Sequence, residues 1–168
     1  MQDNLIIGVI GQSGSGKTTW VKNFIRNSDY QVYLLLDVTN QFPQFRSISD
    51  GTIYKYSKFQ DADELMRVLK SLPRSMSKLI IFDDADLTLR GSDYEYVFLY
   101  HRNYNTDIVY TSKRLKGMNS KIQFQTKKLI IFKYSHRFIR DLIEFGFDRE
   151  FAEKLTKLET FQFVEIDL

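Results

Sequence analysis

The segment Gly11-Gln12-Ser13-Gly14-Ser15-Gly16-Lys17-Thr18 constrains this chain more than any other, because it satisfies G-x-x-x-x-G-K-[ST] at every position. The residue types follow from the chemistry of holding phosphate. Glycines let the backbone turn tightly enough for successive N–H groups to point inward at phosphate oxygens. A helix that starts at Lys17 adds the positive end of its dipole to the same spot. The local context agrees. Leu5–Ile10 reads as a buried strand, and Trp20, Val21, Phe24 and Ile25 form one face of a helix running to about Asn27. In such a strand–loop–helix unit, residues 11 to 19, with Thr19 in the first helical turn, are the expected nucleotide contacts. Lys17 should reach the β- and γ-phosphates, and the Thr18 hydroxyl should ligate magnesium. The expected cofactors are therefore ATP and Mg2+. No Asn-Lys-x-Asp that would select guanine occurs, and Thr111-Ser112-Lys113-Arg114 lacks the acid such a segment needs.

With 168 residues the chain has room for one core and reads as a single domain, 1–168, without repeat, linker or low-complexity tract. Short apolar strands alternate with amphipathic helices. The predicted fold is α/β, a three-layer P-loop NTPase with a mostly parallel central sheet. Strands are expected at Gln31–Val38, Thr52–Tyr56, Lys78–Phe82, Asp107–Ser112, Lys127–Lys133 and Thr160–Asp167. Helices are expected after two capping boxes, Asp61 with Glu64 and Ser92 with Glu95, the second running to about Asn103. Two more are expected near His136–Phe145 and Asp148–Leu158. No cysteine is present, which excludes disulfides and thiolate metal sites and accords with a reducing compartment. No apolar run approaches membrane-spanning length. Net charge is only +3, yet residues 101–140 hold ten Lys or Arg against one acid, Asp107. Such a block fits a polyanion or a neighbouring subunit's nucleotide; the alternative is a solvated basic surface.

A second acidic element stands at Leu79-Ile80-Ile81-Phe82-Asp83-Asp84, four apolar residues and then two carboxylates. This is the form of a Walker B strand, which carries Asp83 to the carboxyl end of the sheet to hold magnesium. Asp84 is the candidate to polarise the attacking water, the alternative being that Asp84 and Asp86 are ordinary loop acids. Adjacent strand residues point to opposite faces, so both carboxylates reach one site only if the chain turns directly after Asp83. A strand and a further strand–helix unit separate this element from the glycine loop. That spacing predicts the additional-strand, catalytic-carboxylate type of ATPase. At the end of the second strand, Thr39 or Asn40 faces the same edge as a possible nucleotide or DNA contact.

From the Walker B strand at Leu79 onward the chain resembles the genome-packaging ATPases of the FtsK–HerA superfamily found in tailless icosahedral viruses with internal membranes. The segments that carry the resemblance are Leu79–Asp84, Tyr100-His101-Arg102-Asn103, Asp107–Arg114, Lys128–Phe132, Ala152–Leu155 and Phe161–Phe163. The resemblance implies a homo-oligomeric ring, expected to be a hexamer, that moves double-stranded DNA without regard to sequence. It also implies a capsid or portal-vertex protein as docking partner, and a location in the host cell cytoplasm or with the virion. Members of the group use an arginine from the next subunit, for which Arg102 and Arg114 are the candidates here, Arg102 preferred; a local ion pair is the alternative for each. Two positions depart from the group. Asp84 replaces a glutamate, and Lys113 stands where a polar sensor, commonly glutamine, is expected. Both bear on hydrolysis more than on binding. Two other functions remain compatible with the motifs: a nucleotide or small-molecule kinase, and an ATP-binding assembly switch with weak hydrolysis.

Overall fold

The structure, a computed structural model, describes residues 4–37, 41–42, 54–58, 62–89 and 94–168. In chain order the elements are β1 (Ile6–Ile10), α1 (Lys17–Arg26), β2 (Val32–Leu36), β3 (Tyr54–Lys58), α2 (Ala62–Ser71), β4 (Lys78–Phe82), α3 (Ala85–Thr88) and α4 (Glu95–Tyr100). They continue with β5 (Thr106–Ser112), α5 (Ser120–Gln125), β6 (Lys128–Phe132), α6 (Ile139–Phe145), α7 (Arg149–Thr156) and β7 (Phe163–Asp167). The strands form one sheet in the order β3-β2-β4-β5-β1-β6-β7. All neighbours are parallel except β7, which runs antiparallel to β6.

The strands of the centre are apolar at nearly every position because both faces are covered, as parallel sheets require. Alternate residues then sort to opposite layers. Ile7, Val9, Leu35, Ile81, Val109 and Ile130 pack under α1, which contributes Val21 and Ile25. Ile6, Ile10, Leu34, Ile80, Phe82, Ile108 and Ile131 pack on the other side, against α2, α4, α5, α6 and α7 through residues such as Leu65, Val97, Phe98, Ile122, Leu142 and Leu155. This is the three-layer α/β arrangement expected from the alternation of elements.

Several boundaries differ from the sequence reading. β3 is offset towards the C-terminus, where a register shift between Val32 and Leu34 pairs Leu34 with Ser57. α4 stops at Tyr100, and a 3-10 turn, His101–Tyr104, takes over until Asn105 adopts a left-handed conformation at φ 52°. The His101 Nδ1, 2.7 Å from the Thr106 carbonyl oxygen, ties that turn to the start of β5. α5 has no counterpart in the sequence pattern, since six residues are too few to show a period; its N-cap is Asn119, which accepts a hydrogen bond from the Lys121 N–H. β7 begins three residues late, because residues 160–162 turn at Phe161 instead of extending. Asp61 and Ser92, proposed as helix caps, and Thr52 at the expected start of β3 lie outside the described residues. Glu95 pairs with Lys121 at 2.8 Å.

Lys78 is a polar group the core depends on. It is fully buried at the start of β4, and its Nζ donates to the carbonyls of Pro73, Met76 and Tyr104, each at 2.7 Å. Burial draws its ammonium below the usual lysine range. The Lys78→Met substitution leaves three carbonyls without their donor and is expected to lower stability by about 2–4 kcal/mol in denaturant unfolding.

Candidate functional site

The glycine loop leaves the carboxyl end of β1, in the middle of the sheet, and is pinned to both neighbouring strands. The Gly11 N–H donates to the Ser112 carbonyl at 3.1 Å, and the Gln12 N–H to the Lys133 carbonyl at 2.9 Å. Gly16 closes the loop as the N-cap of α1 with φ 115°, a conformation open to glycine and strained for other residues. Ser13 and Gly14 are exposed, while Ser15 and Lys17 are buried. The Lys17 Nζ bends back to donate to the Gly11 and Gln12 carbonyls, at 2.7 and 3.0 Å. Burial lowers its pKa; Asp84 counteracts most strongly, Lys113 adds to the lowering, and Asp83 and Asp86 also oppose it. These interactions bring Lys17, Asp83, Asp84, Asp86 and Lys113 into one electrostatic neighbourhood, although up to 96 positions separate them in the chain.

The sheet order explains how the acids arrive there. β5 is inserted between β1 and β4, so the loop strand and the acid strand are not neighbours. The end of β5 therefore stands between the two motifs: Ser112 accepts the Gly11 N–H of the loop, and Thr111 holds the two acids. The Thr111 hydroxyl donates to Asp83 Oδ1 at 2.8 Å and accepts the Asp84 N–H, also at 2.8 Å. Asp84 has φ 47° and ψ 55°. This left-handed turn directly after Asp83 is the turn that sequence reasoning required for both carboxylates to serve one site. A non-glycine residue held there costs on the order of 1–2 kcal/mol, which the Thr111 contact helps to offset. No sequence signal marks Thr111, since a threonine near the end of an apolar strand carries no distinguishing pattern.

Hard oxygen donors are what magnesium takes, with several waters retained. The Thr18 hydroxyl, on the first turn of α1, and the Asp83 carboxylate, buried and oriented by Thr111, match that preference. Among the described residues no cluster of three or more His, Cys, Asp or Glu is placed to hold a metal alone. The remaining ligands would be phosphate oxygens and water. A cleft of about 250 Å³ runs along the loop, lined by Gly14, Gly16, Lys17, Thr18, Thr19, Gln41 and Phe161. The Ser15 hydroxyl is buried at the loop without a hydrogen-bond partner, as a cradle built for a further acceptor would leave it. A larger cleft, about 360 Å³, lies beside Phe124, Lys127 and Leu168 at the amino end of β6, away from the carboxyl edge where open α/β sheets bind ligands.

The two arginines part company. Arg114 makes a bidentate pair with the buried Asp141, Nε to Oδ2 at 2.8 Å and Nη2 to Oδ1 at 3.0 Å. Its guanidinium also lies 4.0 Å from the Phe138 ring centroid. It is thus committed within its own chain, the outcome that local pairing would produce. Arg102 is exposed on the turn before β5, at the amino end of that strand. That is the edge of the sheet opposite the cradle, so Arg102 cannot serve its own chain's site. Part of the basic block is also neutralised by acids remote from it in sequence: Lys116 by Glu144, Lys121 by Glu95, and Lys128 by Glu165. Thr39 and Asn40 lie outside the described residues.

No protein-family model matches the sequence, and no curated protein does. Solved structures do match. The genome-packaging NTPase B204 of Sulfolobus turreted icosahedral virus 2, in complex with ATP-gammaS, superposes with a TM-score of 0.76 at 15% identity, over 99% of this chain and 93% of that one. The chain has the P-loop NTPase fold. The DNA-packaging ATPase B204 of Sulfolobus turreted icosahedral virus gives a TM-score of 0.71 at 13% identity, covering 99% and 94% of the two chains. A part of EssC (ATPases 2 and 3) from Geobacillus thermodenitrificans gives 0.64 at 12% identity, over 88% of this chain and 36% of that one. The neighbours are thus viral packaging ATPases and ATPase domains of the FtsK–HerA type, the resemblance expected from the sequence. At these identities the likeness is one of fold.

Proposed function

We propose that this P-loop NTPase binds ATP with magnesium and hydrolyses it as a ring-forming motor on double-stranded DNA, in the manner of a genome-packaging ATPase. The observation that carries the reading is the Asp83–Thr111–Asp84 linkage facing Lys17 across the inserted strand β5. Lys17 releases the loop carbonyls and holds the β- and γ-phosphates. Thr18 and Asp83 would hold a magnesium ion, which would supply positive charge against the triphosphate. Asp84, aimed by its left-handed backbone, takes the proton of the attacking water; the same turn is what offsets a side chain one methylene shorter than glutamate. Lys113 faces the phosphates as a cation where the packaging group commonly has a neutral sensor.

Arg102, which lies at the edge opposite its own cradle, is the arginine this reading assigns to a neighbour in a ring, where it would meet charge developing on the transferred phosphoryl group. Lys127, Lys133 and Arg137 are the basic candidates of the block for DNA phosphates once the ion-paired residues are set aside, and binding through them would weaken with salt. In the described residues no helix is long and apolar enough to cross a membrane. A capsid or portal-vertex protein as docking partner, a hexameric ring, and action in the host cytoplasm or with the virion belong to the same proposal.

The test is ATP turnover with and without double-stranded DNA, followed by subunit mixing. Turnover should rise with DNA. Arg102→Ala and Lys17→Ala proteins should each lose on the order of 10³-fold in rate, and a mixture should regain activity, because an intact cradle then meets an intact arginine. Phosphate transfer to a nucleoside monophosphate would overturn the motor in favour of a kinase. Binding of ATP without turnover, with or without DNA, would leave an assembly switch.

A further inference from the structure

A second cleft, about 280 Å³, adjoins the phosphate cleft and is lined by Gly16, Thr19, Trp20, Asn23, Phe132, Phe161 and Phe163. The two clefts share Gly16, Thr19 and Phe161. Their chemistry differs sharply. One presents the loop and the start of α1, suited to anions; the other is walled by aromatic rings. A nucleotide needs such a pair side by side, since the sugar separates its phosphates from its base by only a few ångströms. The volume of the aromatic cleft falls just under the range that holds whole drug-sized ligands, which suits one flat ring system.

Phe161 is the wall that joins them, and its placement is costly. It is 62% exposed and sits in the left-handed region at φ 69°, where glycine would be cheaper. Its N–H donates to the Ser15 carbonyl at 2.9 Å, which fastens the turn before β7 to the phosphate loop. Its ring lies so close over Gly16 that a Cβ there would stand 2.7 Å from Cδ1. Behind it, the Phe132 and Phe163 rings pack with centroids 5.2 Å apart, and Phe132 Cε1 also approaches Gly16. Neither ordinary burial nor chain economy accounts for a large, exposed ring kept in a strained backbone beside the cradle.

We infer that the turn at Phe161 forms the base subsite of the nucleotide, with the Phe161 ring as the stacking platform and Trp20, Phe132 and Phe163 completing an aromatic wall. The inference rests on the proposal that the Gly11–Thr18 loop holds a triphosphate. Stacking uses the face that every base possesses, so the subsite contributes affinity without demanding one base edge. Asn23 and Thr19 are the polar groups at its rim. The fold thus brings two ends of the chain, the loop after β1 and the turn before β7, onto one ligand.

The test compares ATP with inorganic tripolyphosphate, both with magnesium, by calorimetric titration of the full chain. Phe161→Gly removes the ring while relieving the backbone strain, so the fold is expected to survive. Its ATP affinity should fall roughly tenfold or more, with tripolyphosphate affinity unchanged, and Phe161→Trp should restore ATP binding. An equal loss for both ligands would overturn the subsite, because it would mean that the ring only props the loop. Unchanged ATP affinity would overturn it too. If the unaltered protein binds neither ligand, the nucleotide reading falls, and the subsite with it.

Discussion

Replacing Lys17 with alanine is expected to abolish measurable ATP turnover, a loss on the order of 10³-fold, and to weaken ATP binding severely. The lysine is not an ordinary surface cation. It is buried, its ammonium spans two loop carbonyls, and its surroundings include Asp83, Asp84 and Asp86. Burial lowers its pKa, whereas a bound triphosphate would raise it by supplying opposite charge. Binding therefore takes up a proton once the pH exceeds the free protein's Lys17 value. Affinity should be full below that value and decline as pH climbs through it towards the higher value of the complex. The onset lies below the ordinary lysine value of 10.5. In Lys17→Ala this part of the pH dependence should disappear, which titration of ATP at several alkaline pH values would show. A pH profile shared by both proteins would mean that another group titrates.

Gly16→Ala should have the second-largest effect, on stability and binding together. An alanine there must hold φ near 115°, and its Cβ would lie 2.7 Å from Phe161 Cδ1, 3.1 Å from Phe132 Cε1 and 3.3 Å from the Phe161 Cα. The last of these is backbone and cannot step aside as a side chain can. Left-handed strain and overpacking together are expected to cost about 2–5 kcal/mol, a fall in Tm on the order of 5–15 °C. The turn at Phe161 would be pushed off the loop, so ATP binding should drop as well. Gly14→Ala is the matched control. Its φ is +75°, but nothing lies within 4 Å of an added Cβ, so only backbone strain of about 1 kcal/mol applies. Thermal melts of the two variants should differ clearly; equal losses would place the cost in the backbone alone.

Much of this architecture is legible before any coordinates. The glycine loop announces itself because phosphate binding demands specific residue types at consecutive positions. β4 and Asp83 are legible because four apolar residues followed by acids have few other uses. Short-range signals fail where few residues carry them. α5 is too short for a period, and the 3-10 turn at His101 looks like more helix. The turn at Phe161 reads as strand because phenylalanine and glutamine alternate there.

The rest lies in contacts between residues far apart in the chain. That Arg114 is spent on Asp141, 27 positions away, depends on how α6 packs beside the end of β5. That Arg114, Lys116, Lys121 and Lys128, four of the ten basic residues of the block, face acids from other elements depends likewise on tertiary placement. By itself the sequence determined a nucleotide-binding α/β domain, with the positions of its loop and its acids, because those features rest on residue type and local spacing. Only the tertiary structure decided that β5 lies between the two motifs, so that Thr111 aims both aspartates. It also decided that Phe161 closes over the cradle and that Arg102 faces away from it, because strand order and the path of a turn arise from packing across the whole sheet.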